Sequence, residues 1–276
     1  MQDQQPLTQS DLLTLLHETF LLGVSHFEKI DSTNTRSLAM LSSNEIVQTP
    51  HLVYAETQTG GRGRGSNRWW ASAGSLTVSV VVDCAQLGLS MEQQMQLPLL
   101  TGMALLRSGK AVIPQGDFAL KWPNDVYLSG RKLAGVLTEV PSHSPQPQQS
   151  GAVSQLPRHA VIGVGLNVNN QFADAPTDLR ATGIAMSDVS GQSHNRVEIL
   201  ASFLRHLDEL IQSSVGGIPV LSDWPNYCLL TGKPVTLGVG NTEVSGICQG
   251  IDPTGALLIE TSQGQKRFVG GVVKAW

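Results

Sequence analysis

The sequence predicts an α+β fold, with a mixed β-sheet domain over residues 1–230 and a small β-barrel over residues 231–276. Up to Leu230, segments with leucines at helical spacing alternate with β-branched segments, which predicts helices packed on a sheet. Beyond Thr231 the chain consists of short strands separated by tight turns, a pattern typical of a small closed barrel. Because a piece of about 45 residues is marginally stable alone, we expect the barrel to lean on the larger domain.

The first helix is predicted over residues 8–23, TQSDLLTLLHETFLLG, where the leucines have helical spacing. Thr8 or Ser10 is its expected cap, and Gly23 its expected stop. A second helix is predicted to begin within residues 32–34.

A longer third helix is predicted from Ser90, which has capping-box spacing with Gln93, to Gly109. Pro98 is expected to mark its first turns or a kink. β-branched or alternating segments predict strands over residues 51–56, 75–83, 118–122, 125–128 and 131–140, with SGRK as the hairpin turn between the last two.

The segment PSHSPQPQQSGAVSQLP, residues 141–157, contains almost no large apolar residue and predicts a mobile surface loop that can be deleted with little harm. A strand is predicted over residues 159–170, and a capped helix with one apolar face over residues 195–214. A short helix over residues 224–230 and four barrel strands complete the chain: PVTLGV, EVSGICQGI, ALLIE and KRFVGGVV.

The composition is that of a globular protein from a reducing compartment. A formal net charge of −4 disfavours a general polyanion binder, because such affinity comes from neutralising many phosphates. Cys84, Cys228 and Cys248 lie far apart in the sequence, and no two of the histidines have metal-ligand spacing, so neither a disulfide framework nor a zinc site is indicated. With no targeting signal and no membrane-length apolar run, we expect a cytoplasmic protein without membrane contact.

The most unusual segment is GGRGRGSNRWW, residues 60–70, which connects two predicted strands. Arg62 and Arg64 are two apart in a glycine-rich loop, so we expect them to point the same way and to bind an anion through guanidinium and backbone N–H groups. Trp69 or Trp70 would offer a flat surface to an aromatic base. The alternatives are a solvated, flexible loop or a segment that binds single-stranded RNA. The usual nucleotide motifs are missing from the sequence, since no GxxxxGK[ST] occurs and GVGLNVN lacks a third glycine.

Three further segments accompany this loop: IDSTN at residues 30–34, KWPNDVYLSGRKLAGVLTE at 121–139 and IGVGLNVN at 162–169. Together the four segments resemble biotin protein ligases, which attach biotin to a lysine of carboxylase carrier domains, and the resemblance covers nearly the whole chain. It implies a class II aminoacyl-tRNA synthetase-like catalytic domain of the biotin/lipoyl ligase fold, followed by an SH3-like barrel.

The resemblance also implies a reaction and its partners. Biotin is joined to the α-phosphate of ATP, with Mg²⁺ on the phosphates, and the biotinyl group then passes to the acceptor. The expected acceptor is the biotin carboxyl carrier protein of acetyl-CoA carboxylase, and the expected assembly is a monomer or homodimer. Only about 25 residues precede FEKIDSTN, too few for a helix-turn-helix module, so no DNA binding is expected.

Residue by residue, the resemblance implies three overlapping sets. The biotin-binding set is Ser32, Thr33, Asn34, Gln58, Gly61, Arg62, Gly63, Arg64, Lys132 and Gly135. The adenylate-binding set is Arg62, Arg64, Trp69, Asn124, Lys132 and Asn167, with Gly163 and Gly165 clearing space. The catalytic set is Lys132, Arg64 and Asp125, whose carboxylate would orient or deprotonate the incoming lysine.

Each of these assignments has a structural alternative. Lys132 taken alone is a hairpin lysine in water, and residues 32–34 are a helix cap. KWPND is also typical of a strand end and turn, as is Asn167. In the family loop GRGR is followed by another glycine and arginine, whereas Gly65, Ser66, Asn67 and Arg68 stand here, which leaves the fourth basic contact open.

Two other functions are compatible with parts of the sequence. A lipoyl- or octanoyl-transfer enzyme shares the implied architecture, although GRGR with KWPND favours biotin. An RNA-binding module is disfavoured, because the chain has one arginine-tryptophan loop and is acidic overall.

Overall fold

A computed structural model describes residues 5–46, 48–141, 159–173 and 175–276. The loop predicted over residues 141–157 lies, apart from Pro141, outside the described residues.

The larger sheet is mixed, as predicted, with seven strands in the order β1-β2-β3-β7-β6-β5-β4. β1 pairs in parallel with β2, and every other neighbouring pair is antiparallel. The strands are β1 Gly23–Ile30, β2 His51–Gln58, β3 Leu76–Asp83, β4 Phe118–Lys121, β5 Asp125–Leu128, β6 Arg131–Glu139 and β7 His159–Leu166.

Six α-helices accompany this sheet in the described part of the chain: α1 Gln9–Glu18, α2 Thr33–Ser42, α3 Met91–Val112, α4 Thr177–Thr182, α5 Met186–Ser190 and α6 Arg196–Val215. α1, α2, α3 and α6 correspond to predicted helices, whereas α4 and α5 were not predicted. The short helix predicted over residues 224–230 is a 3-10 helix, Trp224–Tyr227.

The predicted ends of α1 at Gly23 and of α3 at Gly109 were wrong. Each glycine instead leaves room for a neighbouring side chain. The backbone leaves α1 at Thr19, and Gly23 instead begins β1, where a Cβ would lie 2.5 Å from Nδ1 of His51. α3 continues past Gly109, where a Cβ would lie 2.5 Å from the Phe118 ring. Both helices have the predicted side-chain caps, with Thr8 pairing with Asp11 and Ser90 with Gln93.

Alternation along the central strands buries both faces of the sheet. Leu52, Val80 and Ile162 belong to the main core, which includes apolar residues of α3 and α6. Their neighbours Val53, Val81 and Val161 form a smaller cluster with Met40 of α2 and Ile46 on the opposite face. α2 is thereby packed against β2, β3 and β7.

The second sheet is antiparallel, in the order β11-β10-β9-β8-β12. Its strands are β8 Pro234–Val239, β9 Thr242–Ile251, β10 Leu257–Thr261, β11 Gly264–Phe268 and β12 Val272–Ala275. KRFVGGVV, predicted as one strand, is divided between β11 and β12, and Gly271 has φ +148° at the break. The edge strands β11 and β12 share no ladder among the described residues, so the predicted closed barrel is an open sheet.

The second sheet contacts the larger domain directly, as expected for a piece of its size. The indole Nε1 of buried Trp122 donates to the carbonyl oxygen of Gly255 at 3.0 Å. The chain leading into this sheet also pairs with β4, since the Leu229 amide donates to the Leu120 carbonyl at 2.9 Å.

Candidate active site

A cavity of about 820 Å³ lies where the arginine loop, the start of α2, strands β5 to β7, helix α4 and β12 meet. It is lined by thirteen of the fourteen residues assigned to the three sets: Ser32, Thr33, Asn34, Gln58, Gly61, Arg62, Gly63, Arg64, Trp69, Asn124, Asp125, Lys132 and Gly135. Gly163, Val164 and Gly165 line it as well, so all four segments of the resemblance converge on one site.

One end of the cavity is a buried polar cluster at the start of α2. Asn34 donates both amide hydrogens to the protein, through bonds from Nδ2 to the Leu137 carbonyl at 3.0 Å and to Glu139 Oε2 at 2.9 Å. Ser79 Oγ lies 2.6 Å from Asn34 Oδ1 and 2.8 Å from Thr33 Oγ1. The atom of Asn34 with remaining capacity is Oδ1, which has a second lone pair.

Ser32 is the N-cap of α2 by backbone conformation, yet its hydroxyl makes no capping hydrogen bond. The cap is supplied from another strand, because Gln58 Oε1 accepts from the Thr33 amide at 2.7 Å. The interpretation of residues 32–34 as a simple serine cap was therefore incomplete. Ser32 is buried, lines the cavity and is not committed to the helix.

Gly163 of β7 makes room for this cluster. A Cβ at Gly163 would lie 2.1 Å from Asn34 Oδ1, so Asn34 can reach Ser79 only across a bare backbone. The glycine clears space for a protein side chain here.

The arginine loop forms a small hairpin. Trp69 donates its amide to Gly61, and Gly63 donates to Asn67, at 3.0 and 2.9 Å. Asn67 donates to Arg64 at 3.2 Å, and Gly65 has φ +63°, so the departure from the family pattern falls on the tight turn. Where the family loop has a further glycine and arginine, this loop has a turn closed by its own backbone hydrogen bonds.

Arg62 and Arg64 line the same cavity but interact with different carboxylates. Arg62 pairs with Glu139 at 2.5 Å, and Glu139 also holds Asn34. Arg64 is half-buried; burial lowers its pKa, and the charge of Asp125 opposes that shift. Both guanidinium groups line one cavity, and the expectation that they bind one anion stays a prediction.

Asp125 lies in the field of three cations and contacts one of them. Lys132 Nζ lies 2.7 Å from Asp125 Oδ1 across the β5–β6 hairpin. Burial lowers the pKa of Lys121 as well, with Asp125 raising it and Lys132 lowering it. Arg64, Lys121 and Lys132 thus bring positive charge to one carboxylate, an arrangement that suits the gathering of substrate anions.

Comparison with known proteins agrees with this geometry. Residues 26–167 match the profile described as the biotin/lipoate A/B protein ligase family. The chain belongs to that family. Residues 230–274 match the biotin protein ligase C-terminal domain, which places this ligase with the biotin protein ligases.

Curated relatives give the same assignment, and a solved structure gives the same fold. The ligase is 31% identical over 233 residues to biotin--[acetyl-CoA-carboxylase] ligase of Mycobacterium tuberculosis, covering 83% of this chain and 80% of that protein. It is 28% identical over 246 residues to the bifunctional ligase/repressor BirA of Bacillus spizizenii, covering 88% of this chain and 71% of that protein. Its fold is that of biotin protein ligase from Aquifex aeolicus in complex with biotin and ATP, with a TM-score of 0.76, 24% identity, and coverage of 92% and 98%. The predicted family and fold class are confirmed.

The Trp69 ring of this ligase lies against bare backbone of the sheet. A Cβ at Gly165 would lie 2.2 Å from Trp69 Cε2, whereas one at Gly135 would lie 3.5 Å from Cζ3. Trp69 Nε1 is buried and has no hydrogen-bond partner among the described residues. The ring therefore packs directly on the sheet backbone at these two glycines.

Two residues expected to contact the adenylate, Asn124 and Asn167, have side chains that hydrogen-bond to other groups of the protein. Asn124 lines the cavity, but its Nδ2 donates to the Val136 carbonyl at 2.6 Å and its own carbonyl accepts from the Val136 amide. Asn167 lies outside the cavity lining, is buried, and accepts from Asn170 at 3.1 Å. The structure does not bring Asn167 to the other candidates, and its role stays a prediction.

Sequence reasoning missed three residues of this site. Ser79 is a buried hydroxyl in the otherwise β-branched strand β3, and that polar residue was the available signal. Glu139 ends the segment KWPNDVYLSGRKLAGVLTE, and no role was predicted for it. Lys121 also lines the cavity, and its signal in the sequence was its position as the first residue of KWPND.

In the described part of this ligase, none of the helices combines the length and apolarity needed to cross a bilayer.

Proposed function

We propose that this biotin protein ligase joins biotin to ATP, releases pyrophosphate, and transfers the biotinyl group to a lysine of the biotin carboxyl carrier protein of acetyl-CoA carboxylase. The observation that carries the proposal is that Arg64, Lys121 and Lys132 line one cavity, where Lys132 contacts Asp125, beside a buried polar cluster whose hydrogen-bonding groups suit biotin.

The polar cluster suits the ureido ring of biotin. Asn34 Oδ1 can accept from a ring N–H, and the Ser32 hydroxyl can pair with a second ring group. A lipoyl or octanoyl chain offers no N–H or C=O to this end, so binding it would leave polar atoms without partners at a cost of about 1–3 kcal/mol each. Biotin is therefore favoured over these acyl groups.

The first step brings two anions together. A biotin carboxylate oxygen attacks the α-phosphorus of ATP, an anhydride bond forms, and pyrophosphate leaves with the electron pair of the broken P–O bond. Lys132 and Arg64 neutralise the carboxylate and the α-phosphate as charge gathers. The substrate anions compete with Asp125 for these cations, and Mg²⁺ enters on the phosphates as part of the nucleotide substrate.

The second step needs a neutral amine. The acceptor lysine attacks the biotinyl carbonyl carbon, an amide forms, and AMP leaves as the anhydride bond breaks. Asp125 orients the ammonium and takes up its proton, because the amine is unreactive while charged. When Lys132 binds the adenylate, the Asp125 oxygen that it contacted becomes available for this task.

The arginine loop protects the intermediate between the steps. The hairpin over residues 61–69 forms one wall of the cavity, and the Trp69 ring can stack on the adenine base. Because a mixed anhydride hydrolyses readily, exclusion of water by this wall retains biotinyl-AMP until the acceptor arrives.

One experiment tests the proposal against the lipoyl and octanoyl alternatives. The purified chain is incubated with MgATP, a carrier domain and either biotin, lipoate or octanoate, and the acceptor mass and pyrophosphate are measured. We expect biotin alone to modify the acceptor lysine, with pyrophosphate released even when the carrier is omitted. Preferential incorporation of lipoate or octanoate, or no biotin-dependent pyrophosphate, would overturn the proposal.

A further inference from the structure

The indole ring of Trp276, just beyond β12, connects the second sheet to the cavity. Lys121 Nζ lies 5.0 Å from its ring centroid, and Lys233 Nζ lies 4.7 Å from it. Tyr127 meets the same ring edge-on, with centroids 5.7 Å apart and an interplanar angle of 87°. The ring thus holds two ammonium groups and packs on a strand of the larger domain.

Only one of these two lysines belongs to the active site. Lys121 lines the cavity and stands directly opposite Asp125 in the β4–β5 ladder. Lys233 precedes β8 and is not among the residues that line the cavity. The two lysines therefore offer a matched pair, with the same aromatic partner and different positions relative to the site.

Three forces act on the Lys121 ammonium. Asp125 attracts it, and Lys132 repels it because both are cations. The face of an indole ring attracts a nearby ammonium through its quadrupole, and Trp is the strongest side chain in this respect. Without the ring, a long flexible side chain repelled by Lys132 would gain both entropy and hydration by turning to solvent.

The second sheet already forms part of the cavity wall, since Val272 and Val273 of β12 line it. Trp276 follows these residues on the same strand end, but it is not itself among the lining residues. It therefore acts on the site through Lys121.

We propose that Trp276 is a positioning residue for the nucleotide, whose ring holds the Lys121 ammonium at the cavity, where it meets the phosphates of ATP. The inference rests on the proposed function for the identity of the nucleotide. It adds a third phosphate-binding cation and assigns its orientation to the second sheet.

The test measures ATP and biotin dissociation constants by calorimetry for the full chain and for W276A, W276F, K121A, K233A and the double variant W276A/K121A. W276A is expected to weaken ATP binding about tenfold, and W276F to recover most of that loss, because a phenyl ring keeps the cation–π contact. K121A is expected to match W276A, with the double variant no weaker than K121A. Biotin affinity and the thermal midpoint are expected to change little in W276F and K233A.

Several results would contradict the inference. ATP binding unchanged in W276A, a K233A defect equal to that of K121A, or additive losses in the double variant would each overturn it. A wild-type chain that binds ATP but releases no biotin-dependent pyrophosphate would overturn the proposed function alone. A wild-type chain that binds no ATP would overturn both.

Discussion

Two cations of the cavity form ion pairs with protein carboxylates, and we expect substrate anions to compete with those carboxylates. Lys132 contacts Asp125, and Arg62 contacts Glu139. Both pairs are partly exposed, so each contributes about 0–1 kcal/mol to folding and can exchange its carboxylate for a substrate anion at low cost. Arg62 and Lys132 are therefore positioned by their carboxylate partners and stay available to substrate anions.

Lys132 provides the first residue-scale prediction. Lys132→Ala is expected to lower the rate of biotin-dependent pyrophosphate release by about 100-fold or more, because a cation that meets the reacting anions is lost. The free energy of unfolding is expected to change by less than about 1 kcal/mol, since the side chain is 37% exposed. Arg131→Ala, one residue earlier on the same hairpin and exposed, is the control and should retain activity. Undiminished activity of Lys132→Ala would refute its assigned role.

Arg64 provides the second prediction, on retention of the intermediate. Arg64→Gly removes a half-buried guanidinium that faces Asp125, and we expect biotinyl-AMP to escape from the cavity. Bystander proteins mixed with the variant, biotin and ATP should become biotinylated, as measured by streptavidin blotting. Arg64→Lys, which keeps a cation at the position, should leak less. Equal bystander labelling by the wild type and by Arg64→Gly would count against this role.

At the scale of elements, strongly periodic segments were predicted correctly, whereas the two helix ends predicted at glycines were wrong. The capped helices α1, α3 and α6 and the buried strands β2 and β3 were predicted because their own residues specify them. β1 was missed because its residues GVSHFEKI are mostly half-exposed, and its pairing with β2 is decided by tertiary contacts. Gly23 and Gly109 do not end helices. The space that a side chain would take at each is occupied by a ring, His51 at Gly23 and Phe118 at Gly109.

The site shows the same division between local and distant information. The residues that line the cavity were predicted from the resemblance to the family. From local residue patterns alone, Lys132 was predicted to be a hairpin lysine in water. The support by Ser79 and Glu139 was not predictable, because both act across strands far apart in the sequence. Asn167 accepts a hydrogen bond from Asn170, three residues further along the chain, and its role at the adenine stays a prediction.

Strand β7 provides a prediction that separates the two halves of the cavity. Gly163 and Gly165 lie on one face, the first under Asn34 and the second under Trp69, where added Cβ atoms would lie 2.1 and 2.2 Å away. Gly163→Ala should weaken biotin binding and cost about 1–3 kcal/mol of stability, because Asn34 is held by three partners. Gly165→Ala should mainly weaken ATP binding, because Trp69 lies on a loop that can shift.

Calorimetric titration with each ligand and urea denaturation would check this pair. Identical binding defects in Gly163→Ala and Gly165→Ala would argue against separate biotin and nucleotide ends.

At the scale of the whole molecule, two side chains join parts that are distant in the sequence. Trp122 connects β4 to the second sheet through Gly255. Arg196, at the start of α6, connects the N-terminal segment to the main sheet through bonds to Tyr54 at 2.8 Å, Glu56 at 3.1 Å, the Ser75 carbonyl at 3.1 Å and the Gln5 carbonyl. Trp122 also lines the cavity, whereas Arg196 is not among the lining residues, so Arg196 is the one expected to act on stability alone.

Arg196 allows that stability to be measured against a matched pair on the same helix. Its side chain is 4% exposed, whereas Arg205, which pairs with Glu18 of α1 at 3.4 Å, is 48% exposed. Arg196→Met should cost about 3–5 kcal/mol of unfolding free energy, because it leaves the Glu56 carboxylate buried without its cation. Arg205→Met should cost less than about 1 kcal/mol, because water solvates both partners of the exposed pair. Urea unfolding at neutral pH gives both values, and a similar loss in the two variants would show that burial of the Arg196 network does not control the stability of the larger domain.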